Sequence, residues 1–215
     1  MKKIIALLTL VCLCLCLFAG CKDKTFTSAD DGSTPATQPA ENANPETVSG
    51  KHHVEIEIEG YGTIALELDA DIAPITVANF LSLAQSGFYD GLTFHRIMEG
   101  FMMQGGDPNG NGSGGSSTRI KGEFAANGVA NNISHVRGVI SMARATPYDS
   151  ASSQFFICHQ DALFLDGQYA AFGYVTEGMD VVDAICEYSS SVVIDNNGTI
   201  PAEDQPVIIS IKVID

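Results

Sequence analysis

The chain has 215 residues and a formal net charge of −15, from 26 acidic residues against 11 lysines and arginines. Such a balance repels nucleic acid and anionic bilayers alike, so no nucleic-acid partner is expected and any membrane attachment needs something other than charge. A compositionally biased first fifty residues leave one domain, residues 51–215, long enough to bury a real core.

At the N-terminus, Lys2 and Lys3 precede the apolar run IIALLTLVCLCLCLFAG, which ends at Cys21. A charged start, a short apolar stretch and small residues before a break describe an export signal. The break FAGC resembles a bacterial lipobox, with Phe18 where leucine is commoner. The resemblance implies a lipoprotein signal peptide over 1–20 and diacylglycerol on the Cys21 thiol. It also implies an extracytoplasmic protein anchored to a bacterial membrane. An uncleaved span is the weaker alternative, because Ile4 to Gly20 is marginal for the ~20 residues a crossing needs. Residues 22–50 are dominated by Ser, Thr, Pro, Ala and acidic residues; they cannot bury enough to fold and read as a tether. Once the signal has left and Cys21 carries lipid, only Cys158 and Cys186 remain. Two distant thiols make no disulfide framework; buried free thiols are expected, with a single bridge left open.

From Lys51 the pattern changes. In HHVEIEIEGYGTIALELD, Val54, Ile56 and Ile58 alternate with glutamates. Ile64, Leu66 and Leu68 repeat the alternation after a Gly-Tyr-Gly turn, which predicts an antiparallel hairpin. APITVANFLSLAQSG switches to helical spacing, with Pro74 suited to a first turn and Gly87 to the end. Short strands follow at LTFHRI, FMMQG, GVISMA, SQFFIC and AAFGYV. A second helix, GMDVVDAICEY, precedes a last strand in PVIISIKVI. Many strands, two helices and glycine-rich connections predict a mainly β fold, a closed antiparallel barrel with helices over its openings.

Several motifs lead nowhere. GGDPNGNGSGGSS lacks the Gly-Lys-Ser/Thr of a phosphate loop. Asp107, Asn109, Asn111 and Gly112 have calcium-loop spacing, but Thr118 stands where a bidentate glutamate is required. No two of the five histidines make a metal-ligand spacing, and there is no Gly-x-Ser-x-Gly elbow, so neither metal nor cofactor is expected. What remains is a polar excess in apolar surroundings. Arg96, Gln104 and Gln154 lie within two residues of Phe94, Met102 and Phe156, where a packed core would exclude them. Alternation puts Arg96 on the face of Phe94, and Gln154 on that of Phe156. The pattern suits an apolar pocket with a few aimed donors.

FHRIMEGFMMQGGD, SMARA, SQFFIC, FLDGQYAAFG and VTEGMDVVDAI occur in the order of the cyclophilin-type peptidyl-prolyl isomerases, which residues 54–214 resemble. The resemblance implies an eight-stranded closed barrel capped by two helices, with an outer-face groove for proline-containing peptides and unfolded or exported proteins. It assigns catalysis to Arg96, Phe101 and Gln104. Phe101, Met102, Phe156 and Leu165 would hold the proline ring, and the backbone at Ala143 and Arg144 would pair with substrate. Gln154 would line a neighbouring subsite and His95 the rim. Phe164 stands where the best-known eukaryotic members carry tryptophan, Tyr169 replaces a histidine and Arg144 an asparagine; cyclosporin binding is therefore expected to be weak. A tethered monomer is the simplest assembly. The alternatives are a holdase or binding module using the same groove without turnover, and an adhesin in which the barrel is a scaffold.

Overall fold

The computed structural model describes residues 47–215; the signal, Cys21 and the tether through residue 46 lie outside the described residues. β1 (Lys51–Ile58) and β2 (Gly62–Asp69) form the expected hairpin, with Val54 opposite Leu66 and Ile56 opposite Ile64. These four residues are buried because alternation sends every second side chain to one face. α1 (Pro74–Gln85) opens on its proline. The Glu123 carboxylate accepts the N–H groups of Ile75 (3.1 Å) and Thr76 (2.7 Å), placing negative charge at the positive end of the helix dipole.

β3 (Phe94–Met98), β4 (Met102–Gly105), β5 (Val139–Met142), β6 (Phe155–Cys158), β7 (Ala171–Glu177) and β8 (Ile208–Val213) complete the sheet, and α2 (Met179–Ser190) lies between β7 and β8. The strand order is β3-β4-β6-β5-β7-β2-β1-β8, all neighbours antiparallel. This corrects the expected closure: the strands form an open, curled eight-stranded sheet, a half-barrel. The free edge of β3 is taken by a loop instead of β8. Ile97 N–H donates to the Gly198 carbonyl (2.8 Å), and Ile200 N–H to that of His95 (3.0 Å). β8 meets the other end of the sheet only around a Thr93–Val207 bridge, where Phe94 N–H reaches the Pro206 carbonyl and proline has no N–H to return.

Inside the curl, Phe80 of α1 meets Phe155 edge-on at 5.4 Å and Phe172 at 5.3 Å. α1 packs on β8 and β2, and α2 on β3, β2 and β4. A second, smaller apolar cluster, including Met102, Val139, Phe156, Cys158 and Leu165, lies on the outer face. Cys186 belongs to the inner cluster and Cys158 to the outer one. Both are free, and burial pushes each thiol up to about 12.

Candidate active site

The position of Arg96 depends on a one-residue slip. Phe94 lies opposite Gly105 and Arg96 opposite Gln104, so two steps along β3 match one along β4. That is a β-bulge, and it turns Phe94 and Arg96 to opposite faces. Phe94 enters the inner core while Arg96 emerges outside beside Gln104, which overturns the expectation of a shared face. Gly105 permits the close approach, since a Cβ there would lie 2.8 Å from the Thr93 carbonyl. His95 is the extra residue. It is buried at 4% exposure, not at the rim, because the bulge folds it inward against Gly112. Neither ring nitrogen has a hydrogen-bond partner. Burial lowers its pKa, with Asp107 opposing and Arg96 adding to the effect.

Arg96 is half-buried. Its Nε donates to the Asn197 carbonyl (2.7 Å) and Nη1 to Gln104 Oε1 (3.2 Å). The remaining contacts are thioethers, Met98 Sδ at 3.3 Å from Nη2 and Met102 Sδ at 3.8 Å from Nη1, which are weak acceptors. Among the described residues no carboxylate pairs with it. Burial lowers its pKa, with Tyr169 and Asp195 opposing, yet a guanidinium keeps its charge at neutral pH. Its Cζ lies 5.9 Å from the centre of the Phe101 ring.

This cation faces a hollow of about 150 Å³ lined by Phe101, Met102, Phe156, Leu165 and Tyr169, together with Gln104, Ala143 and Arg144. Gln104, Ala143 and Arg144 join it to a larger hollow of about 390 Å³, which Gln154 also lines. Gln104 Nε2 donates to Gln154 Oε1 (2.9 Å), and Gln154 Nε2 donates to the carbonyls of Gly114 (2.7 Å) and Gly112 (3.1 Å). The relay fixes both amides, and Gln104 keeps one N–H free.

The expected residues Arg96, Phe101, Met102, Gln104, Ala143, Arg144, Phe156, Leu165 and Tyr169 therefore converge, with Gln154 next door. Phe164 stands outside, 69% exposed, its ring 5.5 Å from Phe101. Arg144 contributes its side chain as well as its backbone. Its guanidinium sits 4.7 Å from the Tyr169 ring and 5.1 Å from those of Phe124 and Tyr148, and donates to the Gln168, Ala145 and Thr146 carbonyls. Residues missed from sequence are Asn197, whose carbonyl anchors Arg96, and Gly112 and Gly114, which hold Gln154. A D-N-N-G run marks a turn at 195–198 but carries no sign of its partner.

Two alternative chemistries are tested by the same geometry. His135 links Asp166 (2.9 Å) to Ser141 Oγ (3.0 Å), the connectivity of a hydrolytic triad. Ser141 and His135 are fully buried, His135 is stacked on Phe156, and neither lines either hollow, so the trio supports the pocket floor. Asp107 directs its carboxylate to its own loop, accepting N–H groups from Asn109, Asn111 and Gly112. Among the described residues no group of His, Cys, Asp or Glu is placed to hold a metal.

The family model described as "Cyclophilin type peptidyl-prolyl cis-trans isomerase/CLD" matches residues 53–213. A peptidyl-prolyl cis-trans isomerase of Helicobacter pylori (strain ATCC 700392 / 26695) is 50% identical over 126 residues, 58% of this chain and 74% of its own length. Peptidyl-prolyl cis-trans isomerase B of Bacillus subtilis is 46% identical over 123 residues, 57% of this chain and 82% of that protein. A solved Cryptosporidium parvum cyclophilin type peptidyl-prolyl cis-trans isomerase, in the presence of the dipeptide Ala-Pro, superposes with a TM-score of 0.65 at 29% identity, covering 76% of this chain and 99% of its own. With its outer-face pocket and a family match across nearly the whole described domain, the chain belongs to the cyclophilin-type peptidyl-prolyl cis-trans isomerase family.

Proposed function

We propose that the protein accelerates rotation about X–Pro bonds in exported proteins, with Arg96 as the catalytic donor, and that lipidated Cys21 anchors it, as a monomer, to a bacterial membrane outside the cytoplasm. One observation carries the catalytic reading: Arg96 is a half-buried cation with no carboxylate partner among the described residues, turned to an apolar hollow with thioethers on its outer nitrogens. An arrangement that leaves charge so poorly compensated is costly unless it serves a ligand.

Prolyl rotation is slow because nitrogen shares its lone pair with the carbonyl, giving a barrier of about 18–20 kcal/mol. In the twisted state the lone pair returns to nitrogen. A cation donating to that nitrogen then gains most when the bond is most twisted, which is the condition for speeding the reaction. No covalent bond breaks, so the chemistry calls for no nucleophile. Phe101, Met102, Phe156 and Leu165 would grip the ring. The free N–H of Gln104 would hold a substrate carbonyl while its oxygen keeps Arg96 aimed. Ala143 N–H is already donated to the Gln154 carbonyl (3.0 Å), so pairing with the substrate chain falls to the Ala143 carbonyl and the Arg144 N–H.

Exchange spectroscopy on a short X–Pro peptide tests the reading. Acceleration at catalytic protein concentrations supports it, whereas binding without acceleration would mean a holdase. Incorporation of labelled fatty acid, lost in Cys21→Ser, tests the anchor; equal labelling of both proteins refutes it.

A further inference from the structure

The larger hollow beside the proline site has a charge opposite to that of the molecule. Arg119 and Arg144 line it, Arg96 lines its neighbour, and among the described residues no aspartate or glutamate lines either. In a chain of net charge −15 this is a local inversion. Three other cations of the described domain are committed, Lys51 to Glu67 and Asp69, Arg137 to Asp183 and Lys212 to Glu57, while exposed Lys121 lines neither hollow. Arg119 is exposed and has no such partner among the described residues. Asp149, which shares a further hollow with Arg119, turns Oδ1 to the N–H of Gly122 (3.0 Å) and to Asn127 Nδ2 (2.7 Å) and makes no ion pair with Arg119. Arg144 is held by aromatic rings and carbonyls, which orient its charge without cancelling it.

We infer that this second hollow selects substrates carrying a carboxylate side chain close to the proline, with Arg119 the residue that reads it and Arg144 supplying a fixed positive field. The inference rests on the isomerase reading and narrows its substrate class to prolines in acidic segments. The two hollows share Gln104, Ala143 and Arg144. At ~3.3–3.6 Å per extended residue, a side chain within about three residues of a bound proline reaches the second hollow. Repulsion from the acidic remainder of the surface is screened beyond about 8 Å at physiological salt, so the local pair decides. Arg119 is exposed, and an exposed ion pair is worth about a fivefold preference at most.

The test uses the full-length protein in detergent micelles and a peptide series with Glu or Lys at each of three positions on either side of one proline. Each isomerisation rate is divided by that of the all-alanine peptide for the same variant. Wild type should favour Glu over Lys about fivefold at one position. Arg119→Ala should shrink the preference to what the Arg144 field alone supplies, Arg119→Glu should reverse it, and added salt should weaken it. A flat ratio at every position, or one that survives Arg119→Glu, overturns the inference. Anisotropy measurements of affinity on the same peptides read the preference separately. If wild type isomerises none of them, the isomerase reading falls, while the charge preference stands or falls on the affinity ratio.

Discussion

Replacing Gln104 by glutamate should damage catalysis more than replacing it by alanine, although glutamate is nearly isosteric and makes the stronger bond to arginine. Gln104 Oε1 accepts from Arg96 Nη1 at 3.2 Å, while Arg96 Nε stays anchored on the Asn197 carbonyl at 2.7 Å. Gln104→Ala therefore removes one of two polar anchors. A hydrogen bond to a charged group is worth ~1.5–3 kcal/mol, and the long distance argues for the lower figure. The expected loss in kcat/KM is about tenfold. Gln104→Glu instead sets a carboxylate against the guanidinium. Two unit charges some 4 Å apart attract by roughly 4 kcal/mol in surroundings of intermediate polarity, so the cation is drawn away from the proline nitrogen. The change also points an acceptor at Gln154 Oε1, where Gln104 now donates. A loss of about 100-fold or more, ~2.7 kcal/mol, is expected in kcat/KM. Protease-coupled or exchange assays of an X–Pro peptide give the rates, and thermal melts confirm folding. A folded Gln104→Glu protein as active as Gln104→Ala, or more so, would refute the idea that Arg96 works as a freely available cation.

Further outcomes follow from the same structure. Gly106 has φ +78, and a Cβ there would lie 2.6 Å from the Ser153 carbonyl; Gly106→Ala should lower stability by at least the ~1–2 kcal/mol of left-handed strain, and an unchanged urea midpoint would contradict this. Burial lowers the His95 pKa, so the unfolded chain takes up a proton that the folded one resists. That contribution to stability is lost as pH falls below about 6.5. His53, paired with Asp215, has a raised pKa and the opposite sign, so the test is a difference. Wild type should lose more stability between pH 7 and pH 5 than His95→Leu does, and equal slopes would rule the effect out. His159 Nδ1 accepts Gly100 N–H at 2.8 Å, Nε2 meets Asp183 at 3.1 Å, and its backbone N–H holds the Phe101 carbonyl at 2.9 Å. His159→Ala removes the acceptor of the exposed Gly100 N–H, which water can replace, at a cost of about 0.5–1.5 kcal/mol. It should raise KM through the Phe101 turn while kcat stays within about twofold; a fall in kcat alone would contradict that positioning role.

What could be read in the sequence was local. The alternation of Val54, Ile56 and Ile58 and the three-four spacing after Pro74 are properties of neighbouring residues, and they became β1 and α1. Arg96 and Gln104 were conspicuous because apolar surroundings do not tolerate polar groups without a use. The bulge at His95 was invisible, since one inserted residue leaves a sequence that still alternates on paper, yet it reversed the face of Phe94 relative to Arg96 and buried His95. Closure failed for a similar reason. Which chain takes the free edge of β3 is decided by residues 198–200, a hundred positions away. The Arg96 anchor on Asn197 spans 101 residues, and no periodicity reports it. Arg119 sits in a Ser- and Gly-rich loop where no pattern distinguishes it; only the hollow it lines does.

The most direct measurement of the central claim is kcat/KM for an X–Pro peptide with wild type, Arg96→Lys and Arg96→Ala, alongside peptide affinity. The account predicts that Arg96→Ala loses about 100-fold or more in kcat/KM while affinity changes only a few-fold. Arg96→Lys should recover little of it, because one ammonium cannot hold the Asn197 carbonyl and Gln104 while also facing the proline. A folded Arg96→Ala protein within about threefold of wild type would contradict the account, because catalysis would then come from shape and ring binding alone.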